Sequence, residues 1–240
     1  MSKQKQVATS AQLQTYELGK SSQLVVVPKW AKIDTQQFEE LWGLGAQWPR
    51  QTIKMFGKVH NVPRLQGLYG CGWYSFSGLK VQAKPLKHPL LKLLLARATA
   101  ELSDVAGEAV VCTQAVWQLL TFVVARVAGG APIPFNGVFM NWYENGDEYI
   151  SRHRDDEADL VQGATIVSLS FGETRTFRVR DTQGKRVLDI SMDDGMLLAM
   201  RGYFLDEFYH VVPKSSKAKR RRINITLRRF NESALTRATS

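Results

Sequence analysis

Cysteine is scarce. The 240 residues hold only Cys71 and Cys112, too few for a disulfide framework and not arranged as CxxC, so two reduced, buried thiols in a reducing compartment are expected. The N-terminal MSKQKQVATSAQLQTYELGK has no apolar run of the secretory kind, and residues 1–20 read as a flexible arm of an intracellular protein. Nor is there a clean membrane span. Ala109 to Ala128 (AVVCTQAVWQLLTFVVARVA) is the most apolar stretch, but Gln114, Gln118, Thr121 and Arg126 interrupt it, so a buried segment is expected. No internal repeat is visible.

Hydrophobic content of 44% and charged content of 22% exclude a wholly disordered or collagen-like chain. The length suits one substantial core, and we place a single domain at residues 21–230 with a flexible tail at 231–240. The net charge of +10 favours a polyanionic partner, through phosphate neutralisation and counterion release. The one strong charge run, KSSKAKRRR from Lys214 to Arg222, suits a solvated loop, a phosphate contact or a nuclear address.

Gln23 to Val27 (QLVVV) reads as a strand, and Asp34 before TQQFEELW as the N-cap of a helix. Trp48 onward, WPRQTIKMFGKVHNVPRLQGLYGCGWYSFSG, is rich in glycine, proline and aromatics and reads as loops and short hairpins. His88 to Leu102 carries apolar residues at helical spacing and forms an amphipathic helix. From Phe135 the texture becomes short β runs, which predicts a mainly β domain with flanking helices, a sandwich or barrel whose strand-rich core spans residues 135–230.

Of four histidines, His153 lies two residues before Asp155 in SRHRDDEAD. On extended backbone, residues i and i+2 share a face, so imidazole and carboxylate can bind one metal together. His210, in EFYHVV, supplies a second imidazole, and two histidines with one carboxylate leave the open coordination positions that non-haem iron(II) uses. An HxD pair alone arises often by chance, in a solvated loop for instance. The C-terminal RINITLR adds weight. Arg222, Asn224 and Arg228 share one face while Ile223, Ile225 and Leu227 take the other. An inward arginine needs an anion, and its planar fork fits a carboxylate. A dicarboxylate is the natural partner; alternatively Asp193, Asp194 or Asp206 of the chain itself could pair with Arg228.

NWY, HRDDE, SLSFGETRTF, FYHVVPK and RINITLR, in this order, resemble the AlkB family of nucleic-acid dealkylating dioxygenases across most of Lys54 to Phe230. FGKVHNVPR and YSFSGL resemble its duplex-DNA repair branch. The resemblance implies a double-stranded β-helix (jelly-roll) core at 135–230 with an N-terminal nucleotide-recognition lid at 54–80. It implies Fe(II) on His153, Asp155 and His210, with 2-oxoglutarate and O2 as co-substrates. Asn141, Tyr143, Arg222, Asn224 and Arg228 match the 2-oxoglutarate residues, Arg228 at the distal carboxylate and Arg222 at the metal end.

On the substrate side, Phe56 matches an apolar finger that enters the duplex where the base has left, with Met55 and Gly57 beside it, and Arg64 matches a DNA-contacting position. Phe76 would stack the flipped base opposite His153, in the YSFSG segment that also holds Ser77, with Tyr74, Asp156 and Glu157 near its polar edge. The implied reaction is oxidative demethylation of 1-methyladenine and 3-methylcytosine in double-stranded DNA, releasing formaldehyde, succinate and CO2. A monomer in the nucleus is expected. RNA, single-stranded DNA or a protein side chain as substrate keeps the same chemistry, and a catalytically inactive nucleic-acid-binding module is the non-enzymatic alternative. Relative to that branch, the segment from Val110 to Gly130 looks like an insertion of about twenty residues, and the connection from GETRTF to RVLDI looks short.

Overall fold

The computed structural model describes residues 6–8, 13–55, 57–70, 72–76, 78–102 and 135–236. The apolar stretch at 109–128, the presumed insertion, and both cysteines except by sequence position lie outside them or at their edge: Cys71 and Cys112 are not among the described residues.

The chain begins with β1 (Gln6–Ala8), β2 (Gln14–Leu18) and β3 (Ser22–Val27), then α1 (Thr35–Gly43). Asp34 caps α1 as its side chain implies, accepting from the Gln37 backbone while the Gln37 side chain accepts from the Asp34 backbone, a reciprocal capping box. Two hairpins follow, β4 (Thr52–Met55) with β5 (Lys58–Asn61) and β7 (Trp73–Phe76) with β8 (Leu79–Gln82). Between them runs β6 (Leu65–Gly70), and after them α2 (Pro89–Leu102). The strands that follow are β9 (Gly137–Tyr143), β10 (Ile150–His153), β11 (Ile166–Gly172), β12 (Arg175–Arg180), β13 (Arg186–Met192), β14 (Met196–Gly202), β15 (Tyr209–Val212) and β16 (Arg222–Arg228), with a one-turn helix, Phe204–Glu207, between β14 and β15.

The larger sheet has the order β1-β2-β3-β14-β11-β16-β9-β6 and the smaller the order β10-β15-β12-β13. They face each other across a cavity lined from both, the jelly-roll arrangement expected of residues 135–230. Several boundaries differ from the sequence reading. Gln14–Leu18, assigned to a flexible arm, pairs with β3, because its register places Tyr16 opposite Leu24 and extends the sheet by one strand. Glu232–Thr236, assigned to a flexible tail, is a short helix. Within 54–80, β6 belongs to the larger sheet, while the two hairpins form small sheets of their own, the second of them packed into the core through Tyr74 and Val81.

β16 explains how the site is built. All seven of its residues are buried, so both faces are covered. Ile223, Ile225 and Leu227 are fully buried in the apolar core, each contributing roughly 1.5–3 kcal/mol, which obliges the alternate Arg222, Asn224 and Arg228 to face the cavity. On β9 the same parity turns Trp142 toward α1, where its indole donates to the Leu41 carbonyl at 3.0 Å, and turns Asn141 and Tyr143 inward.

The basic run is an exposed loop, with Lys214, Lys217, Lys219 and Arg220 in solvent, tethered to the protein at a few points. Ala218 O accepts from Gly146 N at 2.9 Å and Ser215 N donates to Gly146 O at 2.9 Å, while Arg220 pairs with Glu173 and Arg221 with Glu39. At Gly146 a Cβ would sit 1.8 Å from the Ser215 carbonyl oxygen, backbone against backbone. Gly146→Ala is therefore expected to destabilise the protein by about 1–3 kcal/mol, seen as a lowered urea midpoint; an unchanged midpoint would mean that the loop yields at no cost.

Candidate functional site

β10 and β15 are neighbours, and their register sets His153 directly opposite His210. The ring centroids are 4.1 Å apart. Asp155 lies two residues past the end of β10, its carboxylate 3.9 Å from His153 Nε2 and 3.6 Å from His210 Nε2. Ligand atoms of these three residues all lie within 4.8 Å of one another, the one such His/Asp/Glu/Cys cluster among the described residues. His153 Nδ1 lies 2.9 Å from the Ser151 carbonyl oxygen. A carbonyl only accepts, so this contact puts the proton on Nδ1 and leaves the Nε2 lone pair facing Asp155. Burial, then the adjacent His153, lowers the His210 pKa to about 3 against the pull of Asp155. Burial lowers His153 too. Both rings are thus neutral donors at physiological pH. Burial alone would raise the Asp155 carboxyl, but Arg228, His210, His153 and Arg64 outweigh it and hold it below the usual range.

Arg228 is what fixes that carboxylate. Its Nη2 donates to Asp155 Oδ1 at 2.7 Å and its Nη1 donates to the Tyr74 hydroxyl. Asp155, rather than Asp193, Asp194 or Asp206, is its acidic partner; Asp193 accepts from Thr174 and Ser191, and Asp194 from the Gly172 backbone. Arg228 therefore sits at the metal end of the cavity, and the ends assigned to the two arginines from sequence are reversed. Six residues along β16 separate the arginines by about 20 Å of strand, and Arg222 lies at the far end. Its Nε donates to Ser170 Oγ at 3.0 Å, and its Nη1 is buried without a hydrogen-bond partner. Two guanidiniums lie against the Tyr143 ring, Arg222 at 5.0 Å and Arg175 at 5.4 Å from its centroid. Burial, opposed by Tyr143 and reinforced by Arg175, lowers Arg222 to about 10. A buried guanidinium beside a second one, with one fork tip free, is a site for an anion.

Between these ends, Asn141 Oδ1 accepts from Arg64 Nε at 2.7 Å and from Gln66 Nε2 at 3.2 Å. Two donors on the carbonyl turn the amide NH2 toward the cavity. Asn224 lines the same wall, but its NH2 is spent on Ser168 Oγ at 2.7 Å and the Leu169 carbonyl at 2.9 Å, so it shapes the wall rather than donating into the cavity. The whole space is about 570 Å³. On its outer side Phe76 stacks against Tyr74 at 4.9 Å and 29°. Asp156 is exposed and Glu157 half-buried, and both line the cavity. Burial, with Asp155 adding to it, raises the Glu157 carboxyl.

The profile of the 2OG-Fe(II) oxygenase superfamily matches residues 24–228, which contain all three clustered ligands. The chain belongs to this superfamily. Fe(II) and 2-oxoglutarate are accordingly its cofactor and co-substrate, with O2. Among its relatives are the DNA oxidative demethylase ALKBH2 of Homo sapiens, 33% identical over 188 residues, 74% of this chain and 60% of that protein. ALKBH2 of Mus musculus is 32% identical over 188 residues, 74% of this chain and 66% of that protein. Alpha-ketoglutarate-dependent dioxygenase alkB homolog 3 of Homo sapiens is 29% identical over 191 residues, 75% of this chain and 56% of that protein. The chain spans about three-fifths of the length of the mammalian ALKBH2 relatives, from 57% to 66%. A solved structure, that of OsALKBH1, shares the fold with a TM-score of 0.54 at 15% identity, over 86% of this chain and 96% of that one. The AlkB resemblance carried by the motifs is thus borne out.

The oxygenase site brings together His153, Asp155, His210, Asn141, Tyr143, Arg222, Asn224, Arg228, Arg64, Tyr74, Phe76, Asp156 and Glu157 around one cavity. The donor set fits the metal: two neutral imidazoles and an ionised carboxylate converge on one point. Arg64 is buried at 8% exposure, lines the cavity and donates from Nε to Asn141 and from Nη1 to the Tyr149 carbonyl, so it braces the wall. Tyr74 lines the cavity but is 1% exposed, and its hydroxyl accepts from Arg228. Phe56 and Ser77 lie outside the described residues; Met55 ends β4, and Gly57 follows at φ +77° with open space around it, as a hairpin tip requires.

Sequence reasoning missed Gln66 and Arg175. Arg175 was legible by parity: it alternates with Phe177 and Val179, both buried, whereas Arg178 and Arg180 take the outer parity. Its Nη2 donates to the carbonyls of Glu148 at 2.8 Å and Pro213 at 2.7 Å, and its Nη1 to Asn145 at 3.1 Å, tying together the segments that lead into β10 and out of β15. Among the described residues no helix is long and apolar enough to cross a membrane.

Proposed function

We propose that this oxygenase demethylates 1-methyladenine and 3-methylcytosine in double-stranded DNA, receiving the damaged base in the cavity after it has left the helix. The observation that carries the reading is the composition of that one cavity: a three-ligand metal cluster, an unpartnered Arg222 fork tip at one end, and an aromatic and acidic wall of Phe76, Asp156 and Glu157 at the other. The relatives named DNA oxidative demethylases support the same substrate class, and the net charge of +10 suits a polyanion.

His153, Asp155 and His210 would hold Fe(II). Arg222, with Tyr143, takes the distal carboxylate of 2-oxoglutarate; Asn141 and Arg228 serve the metal end, and Asn224 keeps the wall in place. When bound, Fe(II) with 2-oxoglutarate and O2 supplies the oxidation of the N-methyl carbon, with release of CO2, succinate and formaldehyde. The protein's own part is geometric and electrostatic. Arg228 keeps Asp155 ionised and oriented, Ser151 fixes the His153 tautomer, and Phe76 with His153 stacks the base. Glu157 and Asp156 favour a base that carries a positive charge because it is methylated.

The exposed hairpin of β4 and β5 is the part of the reading that points to duplex rather than single strands. All four residues of β5 are exposed, Val59 at 69%, while Ile53, His60 and Asn61 line the cavity. By resemblance, the Met55-Phe56-Gly57 segment would fill the gap left in the stack, which lowers the cost of extruding the base. A monomeric, nuclear enzyme belongs to the same reading.

The test is to incubate the protein with Fe(II), ascorbate, 2-oxoglutarate and a duplex oligonucleotide carrying one 1-methyladenine, and to weigh the strand. Loss of one CH₂, absent with His153→Ala, is the expected result. Succinate formation without loss of mass would retain the oxygenase and reject the substrate. Faster repair of the same strand unpaired, or as RNA, would reject the duplex preference. Phe76→Ala is expected to raise KM for the oligonucleotide about tenfold, as loss of base stacking worth about 1–3 kcal/mol predicts, with KM for 2-oxoglutarate unmoved.

A further inference from the structure

Tyr74 stands on β7, in the second hairpin, yet its hydroxyl is engaged with β16 on the opposite side of the cavity. Arg228 Nη1 donates to that hydroxyl, and Arg228 Nη2 donates to Asp155 Oδ1 at 2.7 Å. Asp155 in turn lies 3.6 Å from His210 and 3.9 Å from His153. One unbroken line of polar contacts therefore runs from the hairpin to the metal ligands. The Tyr74 ring has no freedom to swing out: it stacks on Phe76 and meets Phe139 and Phe230 edge-on at 5.7 and 5.3 Å. The Arg228 guanidinium is itself confined, 5.1 Å from the Tyr74 ring centroid and 4.9 Å from that of Phe139, and its Nε has no partner. With Nε unbonded, the two Nη contacts are what set the guanidinium's angle, and removal of either lets it rotate.

From this geometry we infer that Tyr74 is a positioning residue of the metal centre: it orients Arg228, which orients the Asp155 carboxylate toward the position shared with His153 and His210. The hairpin that presents Phe76 to the base and the carboxylate that holds the metal are then mechanically linked. The inference rests on the metal site proposed above but not on the choice of substrate.

Tyr74→Phe removes the hydroxyl and keeps the ring that packs, so the fold is retained. Co(II) is titrated into the metal-free protein and its visible absorption followed, with no 2-oxoglutarate or nucleic acid present. The expected result is Co(II) affinity weakened about tenfold, the low end for loss of an outer partner of a metal ligand, with a changed band shape. In an Arg228→Met background, the further change Tyr74→Phe is expected to have no effect, since the route through Arg228 is already gone. Unchanged Co(II) affinity in Tyr74→Phe would overturn the inference and leave the metal centre standing. A full tenfold effect persisting in the Arg228→Met background would overturn it as well. A native protein that binds no Co(II) would overturn the metal centre itself, and the inference with it.

Discussion

Asp155→Asn is expected to abolish the proposed demethylation and to destabilise the protein at the same time. Asparagine keeps the shape but removes the charge that two neutral imidazoles need beside them to hold a divalent cation, so metal affinity falls at least about a hundredfold. The same change strips Arg228 of its acidic partner in a fully buried place, where both side chains are about 5% exposed. Breaking a buried pair on one side costs about 3–5 kcal/mol. The companion Asp155→Asn, Arg228→Met variant should recover much of that stability and none of the activity, which separates the two roles in denaturant titrations run beside the repair assay. Wild-type stability at Asp155→Asn would mean that Arg228 finds another partner at no cost. The pH dependence follows by sign. The Asp155 carboxyl is held below its ordinary range, so its stabilisation is complete above the ordinary carboxylate pKa and is lost as pH falls through the lower folded value.

Arg222→Met has the opposite stability signature. Arg222 is 2% exposed, has no carboxylate within hydrogen-bonding reach among the described residues, and is pushed to a lowered pKa of about 10 by its burial. It is held charged at a cost to the protein without ligand, so its replacement by an apolar chain of similar length should leave stability unchanged or raise it. Affinity for 2-oxoglutarate, measured by calorimetry with Mn(II) in the metal site, should fall at least about a hundredfold, since truncating one side of a buried charge pair costs about 2–5 kcal/mol. Arg222→Lys keeps the charge without the planar fork and should recover only part of the affinity. A variant that binds 2-oxoglutarate as tightly as the native protein would move the distal carboxylate to another residue. A marked loss of stability would instead make Arg222 a structural cation.

Much of the site was readable in the sequence because it lies on strands whose alternation is strict. In RINITLR the apolar residues declare one face, and the two arginines and Asn224 must take the other; in HRD the two-residue step does the same for His153 and Asp155. Asp34 before TQQF announced a cap that forms as read. The basic run KSSKAKRRR is solvated, as its composition suggests, with Lys214, Lys217, Lys219 and Arg220 exposed; what the sequence could not show is that Glu173, Glu39 and the Gly146 turn, all distant in sequence, pin its backbone and its last arginines. Gln14–Leu18 misled for a similar reason: a polar segment becomes a strand when a sheet edge is there to receive it.

The sequence by itself determined the chemistry: two histidines, a carboxylate and inward arginines at strand spacing, in motifs whose order identifies the family. Tertiary structure alone decided how those parts are connected. The pairing of β10 with β15 sets His153 against His210, and the bond from Arg228 to Asp155 reverses the ends assigned to the two arginines. Strand parity is a local property that a few consecutive residues fix, whereas the partner of a buried charge depends on which strands the fold brings together across the cavity.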